Sequence, residues 1–255
     1  MKTIAKWVRD ELTDYKILLR NIPSLTISFF ILSVVCANLM ANKELFSYKY
    51  LALDCGFVFS WIMFLCMDVI CKRWGAKASV KVSLLALGVN LLVCGSFALL
   101  AKAPGMWGAF YDAPTDLNVN VGVAVNNALN STIGGSWYVV LGSGLAFLTS
   151  SFVNAVINRA VGRAMKKNNF FAFAVRSYTS TIIAQFIDNF VFAVVVSKVF
   201  FGWSWTQVVW CSVVGAVCEL LCEVIFSGFG YKVVCQWEKE NVGKAYFDYL
   251  EERRK

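Results

Sequence analysis

The chain has 255 residues, of which 58% are hydrophobic and only 16% are charged, and its formal net charge is +8. Its mean hydropathy is +0.62, and the apolar residues form long blocks, which excludes a soluble globular domain and indicates an integral membrane protein. Blocks of about 20 apolar residues suit helices that cross about 30 Å of hydrocarbon, whereas membrane-spanning strands would alternate over about ten residues.

The first 21 residues mix bases and acids and contain no continuous apolar core. A secretory signal peptide needs an apolar core of about 7 to 15 residues next to a small-residue cleavage site, so we do not expect one here. We assign residues 1–21 to the cytoplasm. The stretch IAKWVRDELTDYKILL (4–19) fits either an amphipathic helix on the inner membrane surface or a solvated tail, and the sequence leaves both open.

Six apolar blocks follow, and we predict an all-α bundle of six transmembrane helices. The predicted helices cover residues 22–42, 49–71, 80–102, 137–160, 177–200 and 206–235. This divides the chain into the N-terminal segment, a six-helix transmembrane domain over residues 22–235 and a charged cytoplasmic tail over residues 236–255.

Lys and Arg are unevenly distributed around these blocks. Twenty of them lie in the terminal segments and near the loops after helices two and four, and only four lie at the other loops. Loops rich in Lys and Arg face the cytoplasm, so we predict that both termini are cytoplasmic. The net charge is then a signal of topology, and we expect no nucleic-acid partner.

One predicted connection, residues 103–136, is unusually long. Loops of this length in a compact bundle are usually functional or partly structured, and VNVGVAVNNALN (119–130) could form a short surface or re-entrant helix. Its asparagines could line an entrance, although we favour simple solvation.

The chain has nine cysteines and no histidine, and the spacing of these cysteines argues against a metal centre. There is no C-x-x-C pair, and free cysteines in membrane helices usually behave as small apolar residues, so we expect no metal and no cofactor. No Walker A sequence or Gly-rich nucleotide loop is present, so we do not expect the chain to hydrolyse ATP by itself. Without histidine, any proton chemistry must use carboxylates.

Predicted helix five, YTSTIIAQFIDNFVFAVVVSKV (178–199), carries Gln185 and Asp188 near its middle. An ionised carboxylate at the centre of a membrane helix costs about 2.5 to 3.5 kcal/mol, so it normally faces a polar cavity and marks a substrate or ion path. Ser177, Thr181, Gln185 and Asp188 recur at the spacing of one helical face. We therefore expect these four side chains to point the same way.

Further polar side chains lie inside the other predicted helices. The candidates for a site are Asn38 on helix one, Asp68 on helix two, Asn154 on helix four, and Glu219 and Glu223 on helix six. Ser, Thr and Asn commonly join neighbouring helices, so a purely structural role stays open for them. Arg176 could neutralise Asp68. The other three carboxylates have no evident basic partner, and we expect them to share one cavity for a cationic or donor-rich ligand.

Carboxylates and carboxamides among aromatic residues suit a flat molecule with several N–H donors, held by its edge and stacked by its face. A nucleobase-like heterocycle has this chemistry. A hard metal ion would need more oxygen ligands close together than the sequence brings into one place.

The chain resembles the membrane transporters of queuosine precursors, a family also described as vitamin uptake transporters. The resemblance is carried in order by CANLMANK with Asn38, MDVICKRWGAKAS with Asp68, FLTSSFVNAVINRAV with Asn154, RSYTSTIIAQFIDNFVF with Gln185 and Asp188, and CELLCEVIF with Glu219 and Glu223.

This resemblance implies a multi-pass protein of the cytoplasmic (cell inner) membrane that imports a 7-deazaguanine for tRNA modification and is not an enzyme. The substrate would be 7-cyano-7-deazaguanine (preQ0), 7-aminomethyl-7-deazaguanine (preQ1) or queuine. As a hypothesis, Asp188 or Glu219 binds the amidine edge, and Glu223 or Asp68 binds a cationic amine. The remaining polar contacts and the ring faces are assigned to Gln185, Asn154, Asn38, Trp61 and Phe64.

Alternatives from other classes stay open. The chain could be the substrate-binding subunit of an ATP-driven vitamin importer, a transporter of another small heterocycle, or a membrane scaffold whose polar stripes only join helices. As partners we expect the heterocyclic substrate and the lipid bilayer, with a homodimer as one candidate oligomeric state.

Overall fold

The computed structural model describes residues 2–41, 43–48, 51–103, 127–133, 137–164 and 169–253. The helix predicted over residues 119–130 lies mostly outside the described residues. Only the end of that connection is described, where Leu129–Ile133 forms a single π-helical turn.

The described residues form eight α-helices and one β-hairpin. In chain order these are α1 (Lys2–Asn21), α2 (Ser24–Met40), β1 (Glu44–Tyr48), β2 (Leu51–Asp54), α3 (Phe57–Trp74), α4 (Ala76–Leu100), α5 (Trp137–Ala164), α6 (Phe170–Phe192), α7 (Trp205–Lys239) and α8 (Lys244–Glu252). A π-helical segment, Ala193–Lys198, continues α6.

The long apolar helices are those of an all-α membrane protein. Four of them are long and apolar enough to cross a bilayer, namely α4, α5, α6 with its π-helical continuation, and α7. The pair formed by α1 and α2 passes the same test only together, and it is bent by 104°. The described residues thus provide four or five candidate spans. Six spans and cytoplasmic termini stay predictions, although each of the six predicted segments contains a helix.

The start of predicted helix two is wrong. Leu51–Asp54, which were predicted to be helical, form instead one strand of an antiparallel hairpin, in which Glu44 faces Asp54 and Tyr48 faces Leu51. The helix begins only at Phe57, whose backbone N–H donates to Asp54 Oδ1 at 3.3 Å. An acceptor just ahead of a helix satisfies one of the free N–H groups of its first turn, which fixes this starting point.

The opposite end of α3 lies beside α8, and α1 contacts α4 and α8 in the same region. We call this region, which holds Arg73 and Lys81, the basic end. Lys81 of α4 forms an ion pair with Glu11 of α1 at 2.8 Å and a second with Asp14. Arg73 donates to the Val242 carbonyl at 2.6 Å, and its guanidinium lies 4.6 Å from the centre of the Phe247 ring. Within the segment predicted as a charged tail, residues 236–239 end α7, and Lys244–Glu252 form α8, which packs on the bundle.

The bundle packs around α6, which contacts α5 on one side and α7 on the other, while α3 packs against α2 and α7. The apolar core contains Phe30, Phe64, Met67 and Phe147. Outward positions are also apolar, and Ile225 is 73% exposed. A bundle with apolar side chains both in its core and on its outer surface is expected where hydrocarbon replaces water as the solvent. All nine cysteines lie among the described residues, none of them is in a disulfide, and three are buried.

Replacing Gly56 with alanine is expected to destabilise the fold. A Cβ at this position would lie 2.5 Å from the Ala37 carbonyl oxygen and 2.8 Å from Asp54 Oδ1. The α2 backbone cannot shift without disturbing the helix. We therefore expect the free energy of unfolding to fall by about 1 to 3 kcal/mol, the usual cost of overpacking. Thermal unfolding of the purified protein in detergent measures this. The matched control is Gly95→Ala, because a Cβ at Gly95 meets nothing within 4 Å; equal melting temperatures for the two variants would contradict the close approach.

Candidate functional site

A cavity of about 400 Å³ opens at the hairpin end of the bundle. Its walls come from α2, the hairpin, α3, α5, α6 with its π-helical continuation, and α7. The polar residues that line it include Glu44, Asp54, Ser60, Asp188, Asn189 and Glu219. Four of these are carboxylates, and no Lys or Arg is among the described residues that line the cavity. An uncompensated acidic surface of this kind favours a cationic ligand.

Glu219 is the most buried carboxylate of the cavity, with 5% exposure. Its Oε1 accepts a hydrogen bond from the Ser60 hydroxyl, and its Oε2 accepts one from Asn189 Nδ2 at 3.2 Å. Gly215, one turn earlier on α7, allows this arrangement, because a Cβ there would lie 3.1 Å from the Asn189 side chain. The donors orient the carboxylate, and each oxygen keeps a second acceptor position.

Asp188 and Asp54 are two further carboxylates of the cavity, and we call Asp54, Asp188 and Glu219 together its inner wall. Asp188 is half-buried and accepts on Oδ1 from the Ser150 hydroxyl at 2.7 Å. Asp54 belongs to the hairpin, outside the membrane-spanning helices. Burial raises the pKa of Asp54 to about 6, against the hydrogen bonds from the Gly56 and Phe57 backbones, which lower it.

Aromatic side chains line the same cavity, but they differ from those we predicted. The lining includes Phe57, Phe192, Phe201 and Trp203. Trp61 instead stacks on Phe226 with ring centres 4.3 Å apart, and Phe64 is fully buried in the core. Neither Trp61 nor Phe64 lines the cavity among the described residues.

Asp68 is the centre of a second group of polar side chains, nearer the basic end, which we call the inner cluster: Asp68, Asn154, Asn158, Ser177, Thr181 and Glu223. Asp68 Oδ1 accepts from Asn154 Nδ2 at 3.0 Å and from Asn158 Nδ2 at 2.8 Å. Its Oδ2 accepts from Thr181 Oγ1 at 3.0 Å and from the Ser177 hydroxyl. This carboxylate therefore has four donors from two helices.

Arg176 reaches the inner cluster indirectly. Its Nε donates to Asn158 Oδ1, and its Nη2 donates to the Cys71 carbonyl at 3.3 Å. Asn158 thus lies between Arg176 and Asp68 and bonds to both. The ion pair that the sequence allowed between Arg176 and Asp68 is replaced by a contact through a carboxamide.

Gln185 lies on α6 between the inner cluster and the cavity, one turn beyond Thr181 and one turn before Asn189. The Gln185 side chain is fully buried, and neither its Oε1 nor its Nε2 has a hydrogen-bond partner among the described residues. Asn38 is also buried, and its Nδ2 donates to the Val34 carbonyl of its own helix at 3.0 Å. Leaving a buried amide without partners costs about 1 to 3 kcal/mol, which makes Gln185 a group that awaits a partner.

The seven candidate residues therefore fall into separate places. Asp188 and Glu219 line the cavity, whereas Asp68, Asn154 and Glu223 belong to the inner cluster. Gln185 lies between the two groups and Asn38 stands apart from both, so the three carboxylates that we expected in one cavity do not all line it: Asp188 and Glu219 do, and Glu223 does not.

Four polar residues of the cavity were missed in the sequence: Glu44, Asp54, Ser60 and Asn189. Asp54 was assigned to the interior of a helix, although an Asp shortly before an apolar helical block is a signal for a helix start. Asn189 directly follows Asp188, and only its hydrogen bond to Glu219 shows that its side chain reaches α7. Within the described residues no group of three His, Cys, Asp or Glu side chains is arranged to hold a metal ion.

Comparisons with known proteins place the chain in a family. A family model described as "Putative vitamin uptake transporter" matches residues 54–236. The matched region begins at Asp54 and includes the rest of the inner wall of the cavity and the whole inner cluster. Searches of the curated proteins and of the solved structures gave no significant match.

Proposed function

Because the chain belongs to the "Putative vitamin uptake transporter" family, we propose that it imports a queuosine precursor with a cationic amine across the cytoplasmic membrane, preQ1 being the best fit. The observation that carries this proposal is the cavity itself, in which Asp54, Asp188 and Glu219 meet aromatic rings and no lining base is described. The proposal involves no enzymatic step.

The chemistry of preQ1 matches this set of groups. One edge of its ring offers an N–H and an exocyclic amine side by side, which suit the two oxygens of one carboxylate. Its aminomethyl group is an ammonium at neutral pH and suits a second carboxylate. In this proposal Glu219, oriented by Ser60 and Asn189, accepts the ring edge, Asp188 and Asp54 surround the ammonium, and Phe192 stacks on the ring.

A neutral ring would make the same hydrogen bonds, but it would leave the negative charge of Asp54, Asp188 and Glu219 without a bound positive charge. Carboxylates gathered in a partly buried cavity repel each other, and a bound cation removes that repulsion. We therefore assign a preference for the amine-bearing precursors, preQ1 and queuine, over preQ0 and guanine.

Ligand-dependent thermal stabilisation of the purified protein tests this proposal. We expect preQ1 and queuine to raise the melting temperature, preQ0 to raise it less, and adenine to leave it unchanged, since only ligands that bind the folded state stabilise it. The absence of a shift with every deazaguanine would contradict the assignment. A shift with preQ0 equal to that with preQ1 would contradict the preference for a cation.

The affinity for preQ1 is expected to rise between pH 5 and pH 7. The pKa of Asp54 is about 6, so its carboxyl loses a proton over this interval and adds a negative charge beside the ammonium. Without ligand, the free energy of unfolding is expected to fall over the same interval, because a carboxyl whose pKa is raised by burial stabilises the fold less once it ionises. Binding titrations at several pH values measure the first effect and melting curves the second. Asp54→Asn should weaken both dependences; an unchanged pH profile in that variant would contradict the role of Asp54.

A further inference from the structure

Ser177 lies between two buried carboxyl groups in the inner cluster. Its Oγ is within hydrogen-bond distance of Asp68 Oδ2 and lies 2.5 Å from Glu223 Oε1. Asp68 is 1% exposed and Glu223 is fully buried. A hydroxyl carries one hydrogen, so Ser177 can donate to only one of these carboxyls. The other contact is a hydrogen bond only if the second carboxyl carries a proton and donates it to Ser177 Oγ.

The other contacts decide which carboxyl carries this proton. Asp68 also accepts from Asn154, Asn158 and Thr181, and Asn158 is fixed in that orientation because its Oδ1 accepts from Arg176. Four donors around one carboxylate stabilise its ionised form. Glu223 Oε1 has Ser177 as its hydrogen-bond partner, and its Oε2 has none among the described residues. The negative charge of the nearby Asp68 carboxylate also disfavours the ionised form of Glu223. The proton therefore resides on Glu223, and the bonds run from Glu223 to Ser177 to Asp68.

Other charged and titratable groups surround this chain of bonds on three helices. These are Cys71 of α3, Arg176 and Tyr178 of α6, and Glu219 of α7, while α5 contributes the neutral amides Asn154 and Asn158. Arg176 bonds to Asn158 and the Cys71 backbone, and the Tyr178 hydroxyl pairs with Ser227 Oγ at 2.6 Å. Of these groups, Glu219 also lines the cavity.

Glu219 and Glu223 are four residues apart on α7, which places them about 5 to 6 Å apart on one helical face. Glu223 is therefore about one helical turn from the cavity that holds Glu219, Asp188 and Asp54, in which the ammonium binds. In a buried setting of low dielectric a cation attracts an ionised carboxylate much more strongly than a neutral carboxyl, so the bound ammonium favours the ionised form of Glu223. Gln185, with two unpartnered amide atoms, lies between the two sites along α6.

We propose that Glu223 is a proton-binding site coupled to the substrate site, so that a cationic substrate entering the cavity expels the proton from Glu223. The O–H bond of Glu223 breaks, the proton passes to a base of the surrounding buffer, and the ionised carboxylate adds negative charge near the ligand. Coupling between two binding sites is reciprocal, so protonation of Glu223 lowers the affinity for the substrate. This inference rests on the proposed function, because it requires a cationic ligand in the cavity that Glu219 lines.

Calorimetric titration with preQ1 at pH 7.5, in buffers that differ in ionisation enthalpy, counts the protons released on binding. We expect the wild-type protein to release about one proton per bound preQ1, as strong coupling requires. Glu223→Gln mimics the protonated side chain and can still donate to Ser177, so this variant should bind preQ1 and release close to none. Asp248→Asn, an exposed acid-to-amide change outside both clusters, should behave as the wild type.

The outcomes separate the two proposals. Binding of preQ1 to the wild type without proton release, or equal release from Glu223→Gln, would overturn the coupling and leave the transport proposal standing. No binding to the wild type would overturn both. If Glu223→Gln does not fold, infrared difference spectra of the wild type decide instead: the carbonyl band of a protonated carboxyl should disappear when preQ1 is added, and its persistence would overturn the coupling.

Discussion

Glu219→Gln is expected to weaken preQ1 binding more than any other single change in the cavity, by about 100-fold. The glutamate is almost fully buried and is held by Ser60 and Asn189, so it is oriented before the ligand arrives. Removing one partner of a buried, hydrogen-bonded charge pair costs about 2 to 5 kcal/mol, and about 2.8 kcal/mol corresponds to this factor. Isothermal titration with purified protein measures the change.

The matched control for this variant is Glu44→Gln. Glu44 also lines the cavity, but it lies on the hairpin and its side chain is exposed. An exposed charge is screened by water and contributes about 1 kcal/mol or less, so we expect less than about a fivefold loss. Similar losses for the two variants would show that binding depends on overall negative charge and would contradict the assignment of the ring edge to Glu219.

Asp68→Asn is expected to destabilise the whole protein. The carboxylate accepts four hydrogen bonds from Asn154, Asn158, Ser177 and Thr181, whereas an asparagine side chain has one acceptor atom and brings two N–H donors among those donors. Breaking a buried charge network by removing one partner costs about 3 to 5 kcal/mol. We expect a much lower melting temperature in detergent and little folded protein in membranes.

Asp248→Asn is the control for this second variant. The Asp248 side chain is exposed on α8, and surface changes of this kind usually stay within about 0.5 kcal/mol. If Asp68→Asn melted at the same temperature as Asp248→Asn, the inner cluster would not be the polar centre that holds α3, α5 and α6 together.

The helical architecture could largely be read from the sequence, because the solvent of a membrane protein imposes long apolar blocks. The face of α6 could be read as well: the spacing of Ser177 and Thr181 predicted a shared direction, and both side chains donate to Asp68. The hairpin could not be read in this way. Its residues, such as Leu45, Phe46 and Leu51, are as apolar as those of a membrane helix. Hydropathy alone does not distinguish a paired strand from a short extension of a helix.

The division of the candidate site into two groups could not be predicted from the sequence either. Periodicity gives the face of a helix, but it does not give the height of that helix relative to its neighbours. Glu219 and Glu223 therefore looked equivalent on α7. In the structure the first contacts Ser60 and Asn189, and the second contacts Ser177, because the relative heights of α3, α6 and α7 decide which carboxylate meets which partner.

Uptake of radiolabelled preQ1 by liposomes that contain this chain alone tests the central claim most directly. If the acid-lined cavity carries a cationic deazaguanine, the label should accumulate in the vesicles. Unlabelled preQ1 and queuine should compete, guanine should compete weakly, and Glu219→Gln should abolish most of the uptake. No uptake by the chain alone, or equal competition by guanine and preQ1, would contradict it.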